Sequence, residues 1–250
     1  MEINVSAYMS SIRPYRWIAI HEMLKKTKLN FEIVIVGPNE PDFDLPEEIK
    51  FFKSEVKPSQ CFYAAGEFCS GEVMLQLVDD LEYSDGALNM MHKEVLENDN
   101  VMATAHYFMD EKDESLSQNI SGYAINNNYL PLLPVCGMFS RKAWLDNKGI
   151  DVRFDGVMGE LDFYMRLRIN GYNTKFVNGI CKEKREFQNK ESSGGLCAKY
   201  WSKDRASFLR LWITEQVIQG FPLRMMYPIR NDIVRPYKKE NLLTISQYYV

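Results

Sequence analysis

Strand patterns alternating with helix patterns through the first half of the chain predict an α/β fold, a parallel, doubly wound sheet flanked by helices. Three observations carry that expectation. Apolar runs of the buried-strand type recur at Phe31–Val36, Glu72–Val78 and Val101–Met109. Helical periodicity fills the intervals between them. Turn chemistry closes the first two, at Gly37-Pro38-Asn39 and at Asp79-Asp80. Ligands of such sheets bind beyond the carboxyl ends of the strands, where both turns fall.

Taken in order, Glu2–Tyr8 alternates as a first strand. Pro14 suits the first turn of a helix, on which Trp17, Ile20 and Leu24 recur on one face. Phe31–Val36 is rich in β-branched residues and stops at Gly37-Pro38; Ile49–Phe52 is a strand between charged flanks. Gln60–Cys69 predicts a helix, Glu72–Val78 a buried strand, and Ser84 is placed to cap a helix reaching about Glu97. Val101–Met109 is the next strand. Lys112–Asn128 is polar and reads as an excursion. Val135–Ser140 is a short strand, with Ser140 capping a helix that ends near Gly149. Gly159–Asn170 predicts a helix with Leu161, Met165 and Ile169 in one stripe and Gly171 at its end. Thr174–Val177 is a strand and Lys182–Gly195 a charged, mobile loop. Ser202–Gln219 is an amphipathic helix carrying Phe208, Leu211, Trp212 and Ile218. The last thirty residues, with Pro222, Pro228 and Pro236, read as irregular.

Composition excludes several classes. In 250 residues, 46% hydrophobic, there is ample material for a core and no run of the ~18–20 apolar residues that a membrane helix needs. Glu2 stands where a secretory leader would carry its basic region. Five cysteines, at 61, 69, 136, 181 and 197, form no CxxC pair and read as reduced thiols of a cytoplasmic protein. With 34 acidic against 30 basic residues, the chain is not a general nucleic-acid binder. Its charge is uneven, however. Residues 182–250 hold 13 Lys and Arg against 7 Asp and Glu, which suits an anionic partner such as a nucleotide phosphate or lipid headgroup, or else a solvated face.

Two acidic pairs carry the chemical expectation. Asp79 and Asp80 at the mouth of a buried strand need a cation or donors to neutralise them, and a hard divalent ion shared with phosphates is one solution. A solvated turn is the plain alternative, and the same holds for Glu82. Glu160 and Asp162 sit two apart on a helix, so only one of them faces a given pocket. Their plain alternative is stabilisation of the helix N-terminus. His21, His92 and His106 have no partner at metal spacing. No GxSxG, phosphate-loop or GxGxxG pattern supports a hydrolase, P-loop or dinucleotide-binding reading.

The order of these pieces resembles the family 2 glycosyltransferases of the GT-A fold, over roughly residues 2 to 180. The carrying segments are Asn4-Val5-Ser6-Ala7, Ile12-Arg13-Pro14, Glu32–Val36, Ala64-Ala65-Gly66, Gly71-Glu72 and Leu77-Val78-Asp79-Asp80. Downstream they are Gly137–Arg141, Gly149-Ile150-Asp151, Gly159–Asp162, Arg166-Leu167 and Gly171-Tyr172. The resemblance implies a Rossmann-like mixed, mostly parallel sheet in residues 1–181. The nucleotide-sugar half is about 1–110 and the acceptor half about 111–181, with a helical and irregular extension at 182–250. It implies a metal-dependent, inverting transferase acting from a nucleotide-sugar on a carbohydrate or glycolipid hydroxyl. Ser6, Ala7, Arg13, Asn39, Gln60, Asp79 and Asp80 would face the donor. Asp80, with Asp79, would hold Mn²⁺ or Mg²⁺. Gly137, Arg141 and Glu160 would lie on the acceptor side, with Glu160 or Asp162 as the base. Where relatives carry a metal-binding His, this chain reads Cys181-Lys182-Glu183-Lys184-Arg185. The metal then keeps fewer protein ligands, or the cations share the diphosphate charge. The expected setting is the cytoplasm, with peripheral contact at the inner membrane face and self-association both open. A non-catalytic nucleotide-sugar-binding protein of this fold is the alternative, and a nucleotidyltransferase a weaker one, because Ser6–Pro14 holds no glycine.

Overall fold

Five hydrophobic residues, a buried Glu32 and a closing glycine make Phe31–Gly37 a strand that is buried along its whole length, and the sheet is built outward from it. The computed structural model describes residues 3–109, 112–113, 133–183, 193–218, 221–226, 232, 234, 242 and 243. Its strands are β1 (Val5–Ser10), β2 (Phe31–Gly37), β3 (Ile49–Lys53), β4 (Val73–Gln76), β5 (Leu81–Tyr83), β6 (Val101–Met109), β7 (Lys112–Asp113), β8 (Met138–Ser140) and β9 (Asn173–Glu183). They form one sheet in the order β3-β2-β1-β4-β8-β6-β9-β5, with β7 on β6. The β3-β2-β1-β4 half is parallel throughout. The other half is mixed: β8 runs antiparallel between β4 and β6, β5 antiparallel to β9, and only β6 and β9 pair in parallel. The sheet is thus mixed and mostly parallel, as the resemblance implies, with the parallel pattern of the first half unbroken. Reversal at β8 puts Gly137 beside the end of β4, where Gln76 N–H donates to Gly137 O at 3.1 Å.

The helices are α1 (Trp17–Lys25), α2 (Pro58–Phe68), α3 (Ala87–Glu97), α4 (Arg141–Asp146), α5 (Gly159–Ile169) and α6 (Ser193–Trp212). Pro14 opens a 3₁₀ turn, Pro14–Arg16, ahead of α1, whose Trp17, Ile20 and Leu24 are buried as their spacing predicts. Ser140 Oγ accepts the Ala143 N–H at 3.2 Å and so caps α4. Trp144 of α4 then joins the two halves. Its ring packs edge-on to Tyr8 and Phe163 with centroids 5.2 and 5.3 Å away, and stacks on Tyr63. Gly149 passes so close that a Cβ there would lie 2.4 Å from that ring, and its φ of +58° is one that few side chains tolerate.

Several expectations are corrected. Ser84 does not cap α3; its hydroxyl accepts the Ile180 N–H at 2.9 Å, and Gly86 in the left-handed region takes the cap position. On α5 the buried face is Asp162, Phe163, Tyr164, Met165, Arg166 and Leu167, while Ile169 is exposed. The strand expected at Thr174–Val177 runs from Asn173 to Glu183. Lys182 and Glu183 therefore end a strand, and 193–195 begin α6, inside what reads as a loop. The helix expected at Ser202–Gln219 instead starts at Ser193 and ends at Trp212. β-Branched Ile213, Thr214, Val217 and Ile218 follow as a strand, β10 (Ile213–Ile218), paired antiparallel with β11 (Phe221–Met226) in the supposedly irregular tail. Two glycines at the head of α6 cost about 1 kcal/mol each. Buried Asp204 offsets this by accepting the N–H groups of Asp155, Gly156 and Val157 at 2.8–3.0 Å. Most of the Lys112–Asn128 excursion, residues 184–192 of the Lys182–Gly195 loop and most of the tail lie outside the described residues. Among the described residues, no helix is long and apolar enough to cross a membrane.

Candidate active site

Asp79 and Asp80 follow β4 and are both buried, at 3% and 5% exposure. Arg13, from the loop after β1, donates through one nitrogen to both carboxylates, to Asp79 Oδ1 and to Asp80 Oδ2 at 3.0 Å. Ser11 completes the knot. Its Oγ donates to Asp79 Oδ2 at 2.6 Å and accepts from Arg13 N–H and Trp17 Nε1. Burial pushes the Asp79 carboxyl upward against the pull of Arg13. Burial alone would lower the Arg13 guanidinium, yet the two aspartates raise it. Asn39 Nδ2 donates to Ile12 O at 2.7 Å and ties the turn after β2 to the same loop. Arg13, Asn39, Asp79 and Asp80 are thus brought together. Exposed Glu82 stands 3.9 Å from Arg16 instead.

Arg13 and Ser11 hold both Asp79 oxygens, whereas Asp80 is held by Arg13 through Oδ2. Among the described residues no three His, Cys, Asp or Glu side chains converge as a metal site. A hard cation held by one carboxylate and substrate phosphates needs no such cluster, and Asp80 fits that mode.

Across the sheet end lies a cavity of about 230 Å³, lined by Val78, Leu81, Tyr107, Cys136, Glu160 and Glu183 among others. Glu160, in the first turn of α5, is half-buried at its wall. Burial raises its carboxyl to about 7, opposed by a hydrogen bond with Gln76. Asp162 differs in every respect. It is fully buried, its Oδ2 accepting from Arg166 Nε and its Oδ1 from Trp212 Nε1, each at 2.9 Å. Asp162 therefore anchors α5 to α6, and Glu160 faces the cavity.

The remaining candidates lie elsewhere. Ser6, at the amino end of β1, is buried, donates to Glu32 and accepts the Gly71 N–H at 2.7 Å. Ala7 is enclosed between β2 and β4. Gln60 caps α2 through the Lys57 N–H and reaches Val152 O at 3.2 Å. The Arg141 N–H donates to Glu72 O at the amino end of β4, the opposite end from Asp79. Gly137 does reach the site, its N–H donating to Tyr164 Oη at 2.8 Å. Sequence reasoning missed Ser11, Gln76, Tyr164 and Trp212. Gln76 had a signal, a lone amide in the apolar strand Val73–Val78.

The parallel half-sheet, with an antiparallel strand beside β4 and acidic residues at the strand ends, matches a glycosyltransferase fold. Among solved structures, that of S. aureus TarS 1-349 matches with a TM-score of 0.57 at 13% identity, covering 83% of this chain and 66% of its own. TarS 1-349 in complex with UDP matches at 0.55 and 14% identity, over 74% of this chain and 62% of that one. Its complex with UDP-GlcNAc matches at 0.53 and 12%, over 73% and 59%. The chain thus spans slightly under two thirds of the TarS structures it matches. No family model and no curated protein sequence matches it.

Proposed function

We propose that the protein is an inverting glycosyltransferase that moves a sugar from a nucleotide-sugar to an acceptor hydroxyl, with Glu160 as general base. One observation carries the reading: a cavity-facing carboxyl raised to about 7 beside the Asp79–Asp80 turn. A base works best with a pKa near the operating pH, and Glu160 meets that condition. TarS, of the same fold, binds UDP and UDP-GlcNAc, which supports a nucleotide diphosphate-sugar as the donor class.

In this reading the donor diphosphate lies at Asp80 and Arg13, with the anomeric carbon toward the cavity. Glu160 takes the proton of the acceptor hydroxyl. The oxygen forms its bond to the anomeric carbon from the opposite face as the carbon–phosphate oxygen bond breaks, and the electron pair leaves with the nucleotide. Mg²⁺ or Mn²⁺ at Asp80 would supply charge compensation for that leaving group. Arg13 keeps Asp79 and Asp80 from repelling one another and presents positive charge to the same phosphates. The acceptor is a carbohydrate or glycolipid, and the basic residues after 181 allow peripheral contact with an anionic membrane face inside the cell.

The test is nucleotide release from a panel of nucleotide-sugars with Mn²⁺, with and without sugar acceptors. At least one donor should turn over, and Glu160→Gln should slow it by ~10²–10⁴-fold with donor affinity nearly intact. Asp80→Ala should abolish the metal-dependent part of nucleotide binding in calorimetry. Tight nucleotide binding without turnover of any donor would favour the binding-protein alternative.

A further inference from the structure

Gln76 ends β4 inside an apolar strand, 1% exposed, and nothing in the donor site uses it. Its surroundings fix which way its amide points. The Gly137 N–H is a donor only, so Tyr164 Oη accepts from it at 2.8 Å and has its single proton left for Gln76 Oε1, at 2.5 Å. With the carbonyl oxygen held by Tyr164, the amide nitrogen is the end left for Glu160, which stands one turn before Tyr164 on α5 and lines the same cavity. A donor facing a carboxylate favours its charged form and gives it a direction.

We infer that Gln76, oriented by Tyr164, is the positioning residue of the base, aiming the Glu160 carboxylate into the cavity. The inference rests on the reading of Glu160 as the base. The groups around Glu160 do not duplicate that role. Tyr8 from β1, Tyr164 from α5 and Cys136 from the loop before β8 are neutral, each pushed upward mainly by burial. Tyr107 from β6 donates to Glu183 of β9 across the cavity. Glu183 lines the same cavity and bears the same charge as Glu160, so it supplies no donor to it. The Gln76 amide therefore works against burial. Without it, the base would be protonated over more of the neutral range.

The experiment titrates Glu160 directly, in the full chain, with ¹³C-labelled glutamate and Glu160→Gln to assign the signal. The wild-type midpoint should fall near 7. Gln76→Met keeps the volume but removes the donor, and should move the midpoint up by about one pH unit or more. Tyr164→Phe should move it in the same direction by less, because Gln76 is then free to turn. A thermal melt confirms that each variant is folded. An unchanged midpoint in folded Gln76→Met overturns the inference, and if that variant does not fold, an unchanged midpoint in Tyr164→Phe does so. On a donor found by the panel, the acidic limb of turnover against pH should shift with the midpoint. A merely structural role would lower turnover at every pH and leave the limb in place. Full turnover by Glu160→Gln would remove the base reading alone, while the titration still decides what Gln76 does.

Discussion

Glu32 and Glu160 are the same residue type at opposite ends of one sheet, and their surroundings drive them apart. At the amino end of β2, Glu32 is 1% exposed, yet its carboxyl falls to about 2. Burial pushes it up, but Lys50, Ser6 and Ser70 outweigh that by filling its lone pairs. Beyond the carboxyl end of β4, Glu160 meets an amide and, among the described residues, no guanidinium or ammonium, and it rises to about 7. A buried carboxylate with full compensation is a structural bond. One left under-compensated at a cavity is available for proton transfer. Asp79 and Asp162 are each held by an arginine as well, although burial still leaves the Asp79 carboxyl above its usual range.

Exchanging both glutamates for glutamine breaks the comparison most directly. Glu160→Gln should cost ~10²–10⁴-fold in turnover, while Glu32→Gln leaves turnover close to wild type, measured on the same donor. Asp162→Ala comes next. It strands Arg166 and Trp212 Nε1 in the core and should cost about 3–5 kcal/mol in denaturant unfolding.

The acid limb of stability sharpens the contrast. Glu32 has a folded pKa below its unfolded one, so its contribution is present above about 4.5 and is lost as pH falls toward 2. That loss should be about 2–3 kcal/mol in wild type and absent in Glu32→Gln, by unfolding at stepped pH. Glu160 has the opposite sign. Its folded form binds a proton more tightly than the unfolded chain, so ionising it between about 4.5 and 7 destabilises the fold. Glu160→Gln should therefore be more stable than wild type at pH 8, by about 1–2 kcal/mol, and equal to it near pH 4. Equal stability at both pH values would mean that Glu160 is not strained by burial. The smallest effect is local: Ser140→Ala should cost about 1 kcal/mol through loss of the α4 cap.

Periodicity and turn chemistry, which are properties of neighbouring residues, made much of the architecture legible. The strands at Phe31–Val36 and Val101–Met109, the buried face of α1 and the Ser140 cap could all be read along the chain, because each depends on a few consecutive side chains. The end of α6 could not. Its apolar spacing continues past Trp212, and only the pairing of β10 with β11 makes Ile213–Ile218 a strand. Chain order likewise singled out Asp79, Asp80, Glu160 and Asp162 as the candidate acidic residues. It left the base undecided between Glu160 and Asp162, since both stand in the first turn of one helix. Tertiary structure gives the two different surroundings: Arg166 and Trp212 close over Asp162, while Glu160 lines a cavity with Gln76 as its partner. The sequence states which ionisable groups exist and roughly where. Their charge, direction and chemical use depend on desolvation and on donors brought from other elements, and those are decided only when the chain folds.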